Sequence, residues 1–169
     1  GVVIEIPASD HMIKYGYGWP LERAMKASIE TTLAAKEAGL RTVFFTIDAT
    51  RTELNRFLDI VDQVATEGHM DALTIADTMG GCTPDAVAHV VRKVIARLKK
   101  PVEIHCHQDF GLGVANTLAA LQAGASAAHT TITGLGARAG DVPVEDVVMS
   151  LLCLHNVNLG IHTEKFVET

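Results

Sequence analysis

Short β-branched runs alternate with longer Ala- and Leu-rich periodic segments along this chain, and that alternation constrains its fold more than any other feature. The strand candidates are Val2–Ile6, Thr42–Ile47, Ala72–Ala76, Val102–His107 and Ala128–Thr133. Between and after them lie helical patterns at Leu21–Ala38, Glu53–Glu67, Pro84–Leu98, Leu112–Ala123 and Val144–Leu154. A strand returning about every 25 to 40 residues with a helix in between is the βαβ signature of a parallel sheet. The punctuation agrees. Thr83-Pro84 reads as an N-cap followed by proline at the first helical position, and Gly39 and Gly124 stand where helices should end.

No linker, charge block or low-complexity tract interrupts the five units, so residues 1–169 read as a single domain. Two α/β architectures fit: an open doubly wound sheet, or part of a (β/α)₈ barrel. A complete barrel needs about 250 residues, so five units make only a partial TIM barrel. Polar residues gather at the carboxyl end of every strand: Ser9-Asp10-His11, Asp48 to Arg51, Asp77-Thr78, His105 to His107, and the loop from Thr133 to Asp141. Convergence from all five strands suits a barrel mouth better. No Gly-x-Gly-x-x-Gly follows the first strand, which argues against a dinucleotide site. Gly1 to Ile6 enters directly on a strand pattern without an initiator Met, and we expect a chain cut at a strand boundary.

A net charge of −6 argues against a nucleic-acid surface, which needs clustered Lys and Arg. The basic pair Lys99-Lys100 falls at a helix end, where cations are favoured locally. Cys82, Cys106 and Cys153 are odd in number and far apart, which predicts a reducing, cytoplasmic setting and no disulfide framework. No apolar run reaches the roughly 18 residues of a membrane span.

His105 and His107 are two apart on a strand, so their side chains share a face. Two neighbouring imidazoles are natural ligands for a divalent ion. On spacing alone, a pair of hydrogen-bonded histidines at a strand end remains equally open.

The stretch His105-Cys106-His107-Gln108-Asp109-Phe110-Gly111-Leu112, continuing to Ala115-Asn116, resembles the H-x-H-N-D-x-G-L-x-x-A-N motif of the 2-isopropylmalate and homocitrate synthases. Their relatives include citramalate synthase, 3-hydroxy-3-methylglutaryl-CoA lyase and 4-hydroxy-2-oxovalerate aldolase. Gly134-Leu135-Gly136-Ala137-Arg138-Ala139-Gly140-Asp141 is similar to that family's G-[IL]-G-E-R-A-G-N, and Asp77-Thr78-Met79-Gly80-Gly81-Cys82-Thr83-Pro84 to its D-T-V-G-x-x-T-P. Asp48 to Arg51 and Ala8-Ser9-Asp10 fall where related strand-end motifs belong. The resemblance implies strands four to eight of a metal-dependent barrel. It implies a site for Mg²⁺, Mn²⁺ or Zn²⁺ at His105, His107 and Asp141, with a further Asp on the family's first strand. It also implies substrate contacts at Thr78, Ser9 and His11, and Asp48 as the carboxylate nearest to catalysis. The implied substrates are a 2-oxo acid and an acyl-CoA, joined by a synthase or parted by a lyase.

Several positions depart from the family pattern. Ile47 stands where the synthases carry a Glu, Ala137 replaces the Glu of G-E-R-A-G-N, and Asp141 its Asn; Gln108 replaces an Asn, and Met12 aligns with a His. Lyase or aldolase chemistry is therefore the alternative, followed by a non-catalytic binder of small acids and by a structural fragment. Cys106, Cys82 and Cys153 read as packing residues, and Trp19 with Tyr15–Tyr17 as a loop anchor. His129, Thr131 and Thr133 are expected on one face of the last strand. Two open sheet edges predict a homo-oligomer or association with a barrel-completing segment. Ile4 and Ile75 are expected on the poorly covered inner face, and no acetyl-CoA condensation is expected from the chain alone.

Overall fold

The computed structural model describes residues 1–167. Five strands alternate with five helices: β1 (Val2–Pro7), α1 (Leu21–Glu37), β2 (Thr42–Ile47), α2 (Leu54–Glu67), β3 (Ala72–Asp77), α3 (Pro84–Leu98), β4 (Val102–Cys106), α4 (Gly113–Gln122), β5 (Ala127–His129) and α5 (Val144–His155). Local chemistry sets these boundaries. β2 is Thr-Val-Phe-Phe-Thr-Ile, all residues that pack well on a pleated surface. Glu53 caps α2, its carboxylate accepting from the Asn55 and Arg56 amides. Thr83 is extended and Pro84 opens α3, as the sequence predicts. Gly39 and Gly124 follow α1 and α4 at positive φ.

Every neighbouring pair of strands is parallel, and the sheet runs β1-β2-β3-β4-β5 in chain order. A doubly wound sheet reverses its order at a switch point; this one never does. Successive helices pack on one another from α1 through α5, which places them in one layer. Strands inside and one layer of helices outside make the wall of a barrel. The fold is a partial (β/α)₈ barrel.

The main core lies between sheet and helices, where Phe44, Leu73, Ile75 and Ile104 meet Phe57, Val61, Val87 and Val91. Each such side chain contributes about 1.5–3 kcal/mol when fully buried. Cys106 belongs to this core. Trp19 packs at its margin beneath the Arg23 guanidinium, which fits a loop anchor.

Two expectations are corrected. Ile4 and Ile75 face the helices and are 6% and 0% exposed; the open inner face instead carries Val3, which is 48% exposed, and Glu5. The register explains this, because Ile75 pairs with Ile104 whereas Ala76 pairs with His105. In strands apolar on both faces, periodicity cannot say which set turns inward. The last strand is also shorter than expected. β5 ends at His129, and Ile132–Gly134 form a 3₁₀ turn with Thr133 at φ 56°. Beyond His129 the chain pairs with the following loop, the Thr131 amide donating to Val142 O at 3.0 Å. Thr133 therefore shares no strand face with His129 and Thr131.

Candidate functional site

The inner face holds its side chains in layers set by strand register. Glu5, Phe45, Thr74 and Glu103 align on β1 through β4, and Ala76, His105 and His129 align on β3 through β5. Above them, at the carboxyl ends, lie Thr78, His107 and Asp141. A cavity of about 410 Å³ opens on this face, lined among others by Val3, Glu5, Phe45, Ile47, Thr78, His105, His107, His129 and Asp141.

His105 and His107 do share a face, with their Nε2 atoms 3.3 Å apart. Asp141 Oδ2 lies 3.6 Å from His105 Nε2. β4 itself ends at Cys106, but His107 pairs antiparallel with Asp141, so backbone pairing brings the carboxylate to the histidines. The Gly140 carbonyl sits 3.1 Å from His107 Nδ1. A carbonyl can only accept, so Nδ1 carries the proton and Nε2 presents a lone pair to the cavity. His105 Nε2–H then donates to it, which leaves His105 Nδ1 buried without a partner.

The two imidazoles and the carboxylate are donor types that a divalent ion accepts. Ligands about 2.1 Å from a common metal stand roughly 3.0–3.4 Å apart; the 3.3 Å between the imidazoles lies in that range, and the 3.6 Å from His105 to Asp141 just beyond it. The carbonyl behind His107 is the kind of support metal-binding histidines receive. Among the described residues, no group of three or more His, Cys, Asp or Glu is arranged to hold a metal ion by itself; His105 stands 3.3 Å from His107 and 3.6 Å from Asp141.

Burial pushes the His105 imidazolium pKa down to about 4, reinforced by His107 and His129 and opposed by Asp141. His105 is thus neutral at pH 7, as a ligand must be. The folded pKa lies below the ordinary value of 6.5, so the unfolded chain binds the extra proton between pH 6.5 and pH 4. The resulting stability is present above pH 6.5 and lost as pH falls through that window. Thermal melts of metal-free protein from pH 7.5 to 4.5 should show this loss, and His105→Asn should flatten it. An unchanged slope in the variant would refute the assignment.

The loop to Asp141 is tightly built. Gly140 has φ +102°, and a Cβ there would lie 2.5 Å from Gly134 O. Only glycine permits that approach. The Arg138 guanidinium grips Asp109 through two bonds of 2.7 and 2.8 Å and holds the Asp109 carboxyl below the usual range. Gln108 does useful work in its own form: Oε1 accepts from the Gly113 amide at the start of α4.

The structure does not bring every expected residue to the cavity. Asp48 is fully buried at φ 62°, accepting from Ser9 Oγ and from Arg51 Nε and Nη2 at 2.7 and 2.8 Å. Its placement is that of an anchor between strand ends. Ser9 spends its hydroxyl on Asp48 and on the Met12 amide, where a π-helical turn begins. His11 is exposed and packs at a tilt against Tyr15. Thr78 does reach the cavity, and its Oγ1 accepts from the Asp48 amide at 2.7 Å. The hydroxyl proton of Thr78 is thereby left free to donate.

Sequence reasoning missed Glu5 and Glu103. Glu103 accepts from His129 Nε2 at 2.9 Å and from Thr74. Glu5 lines the cavity and forms no hydrogen bond or ion pair with the described residues. A lone acid inside each apolar strand run was the readable signal.

A family profile described as HMGL-like matches residues 1–169. The chain is 36% identical over 167 residues to a probable 2-isopropylmalate synthase of Methanopyrus kandleri, covering 99% of this chain and 33% of that protein. A homocitrate synthase of the same organism is 38% identical over 99% of the chain and 42% of its own length. A putative (R)-citramalate synthase of Archaeoglobus fulgidus is 38% identical over 96% of the chain and 33% of its own length. The chain thus spans about a third to two fifths of these curated relatives. In fold it matches hydroxymethylglutaryl-CoA lyase from Pseudomonas aeruginosa, with TM-score 0.85, 18% identity, and 99% of this chain and 59% of that one covered. The HMG-CoA lyase from Brucella melitensis gives TM-score 0.85 at 20% identity, covering 98% and 62%.

Proposed function

The chain belongs to the HMGL-like family, and on that premise we propose that it is the metal-binding wall of a barrel that makes or breaks a carbon–carbon bond beside a carbonyl. Condensation of an acyl-CoA with a 2-oxo acid is the leading reaction, as the motif resemblance implies and as relatives named 2-isopropylmalate and homocitrate synthase support. The convergence of His105, His107 and Asp141, with Gly140 fixing the His107 tautomer, carries this reading. These three residues would hold Mg²⁺, Mn²⁺ or Zn²⁺, which supplies Lewis-acid polarisation of a substrate ketone.

The chain's own residues do the rest. Thr78 donates its free hydroxyl proton to the substrate carboxylate. Phe45 and Ile47 form an apolar wall that shields the reacting carbons from water. Glu5 is the cavity carboxylate without a partner and takes the proton from the carbon next to the carbonyl. Asp48 and Ser9 act at one remove, by fixing the strand end whose Asp48 amide donates to Thr78 Oγ1. His11 has no contact that supports a substrate role.

A lyase or aldolase reading comes second, favoured by the apolar Ile47 in the cavity wall. The part-open inner face, with Val3 and Glu5 exposed, supports cover by further strands or by other copies of the chain. No helix among the described residues is long and apolar enough to cross a membrane; a cytoplasmic setting belongs to the proposal.

Calorimetry on the chain tests this reading. A 2-oxo acid such as pyruvate should bind only once Zn²⁺ or Mn²⁺ is present, and Thr78→Val should weaken that binding about tenfold, the cost of one charge-assisted hydrogen bond. Equal pyruvate binding with and without metal would defeat it.

A further inference from the structure

A single exposed guanidinium joins the ends of three adjacent units at the cavity rim. Arg138 Nε and Nη2 bond the two oxygens of Asp109, and Nη2 also donates to the backbone carbonyl of Thr78. Asp109 follows His107 by two residues, and Arg138 precedes Asp141 by three. One side chain therefore ties the segment leaving one proposed ligand to the segment approaching another, and both to the residue proposed to grip the substrate.

The local backbone does not favour this arrangement. Arg138 sits at φ 56°, a conformation that residues with side chains rarely adopt. The loop around it closes on itself through Gly140 N to Ala137 O and Asp141 N to Gly134 O, each 3.0 Å. The Gln108 amide donates to Gly140 O at 3.1 Å and docks its base on the end of β4. These bonds shape the loop, but none of them reaches β3. Arg138 alone among them makes that link, through one Nη2 bond to Thr78 O, while its bidentate fork on Asp109 fixes angle as well as distance.

We propose that Arg138 is a positioning residue, a strut whose fork onto Asp109 and single bond to the Thr78 carbonyl set the placement of Asp141 and Thr78 about the ion. This rests on the metal reading above. An exposed ion pair adds little to global stability, whereas loss of a group that orients a ligand typically costs tenfold or more in metal affinity. The strut should therefore show in affinity and not in the melt.

The experiment titrates the chain with Zn²⁺ and records the metal-free melt and amide exchange over residues 134–141. Arg138→Met and Asp109→Asn should each weaken Zn²⁺ about tenfold, and the double variant no further than either alone. Arg138→Lys, a point charge without the fork, should restore the affinity only in part. Melts should stay within about 3 °C of wild type, since surface changes of this kind cost little, while exchange in the loop speeds up. Zn²⁺ affinity within twofold of wild type in Arg138→Met overturns the proposal, as does an affinity loss matched by an equal global destabilisation. If the wild-type chain takes up no Zn²⁺, the metal reading fails, and loop exchange then decides on the strut: unchanged protection in Arg138→Met overturns it.

Discussion

His107→Ala is expected to weaken Zn²⁺ or Mn²⁺ binding by the chain at least a hundredfold, about 2.7 kcal/mol. His107 is the donor whose tautomer the fold fixes: Nδ1 is committed to Gly140 O and Nε2 faces His105. Its removal leaves one imidazole and one carboxylate, too few to hold a hydrated ion firmly. His129→Ala is the control. That ring lines the same cavity but gives Nε2 to Glu103, so its loss should change affinity by no more than about threefold. Calorimetric titration of both variants reads the difference directly. Wild-type affinity in His107→Ala would remove the metal centre from the proposal.

Asp48→Ala should lower the melting temperature by about 6–12 °C, corresponding to roughly 3 kcal/mol for a domain of this size. The carboxylate is fully buried, and its loss strands Ser9 Oγ and frees the Arg51 guanidinium. Alanine would also be left at φ 62°, which it tolerates poorly. Asp48→Asn keeps a residue suited to that conformation and part of the bonding, so it should cost less. A melt of Asp48→Ala within 2 °C of wild type would show that the carboxylate is not the anchor described. Loss of fold in one variant and its retention in the other separates this role from proton transfer.

Much of the site could be read from residues alone because it depends on short-range rules. An i, i+2 spacing on a strand puts His105 and His107 on one face whatever surrounds them. The glycines of Gly134-Leu135-Gly136-Ala137-Arg138-Ala139-Gly140 announce a loop folded too tightly for side chains, and that loop delivers Asp141. Thr78 was legible as a polar residue at a strand end, and its substrate role only through the family resemblance. Asp48, Ser9 and His11 were harder. Their positions at the ends of β1 and β2 pointed to the mouth, but direction there is set by backbone angles that no spacing rule records. Asp48 in the left-handed region aims its carboxylate at Ser9 and Arg51.

The sequence by itself determined five βα units and the pair of histidines, because hydrophobic period, caps and strand parity are local properties of a chain; the order of the strands in the sheet is a tertiary fact. Which face of each strand turned inward was left to the tertiary structure. β3 carries small or apolar residues on both sides, so only its register with β4 assigns Ala76 to the inner face and Ile75 to the core. The tertiary structure alone also set Glu5 free in the cavity, tied Glu103 to His129, and spanned three strand ends with Arg138. Those pairings join residues 26 to 60 positions apart or depend on having no neighbour at all. Such relations exist only once the sheet has curved and brought distant strand ends to one rim.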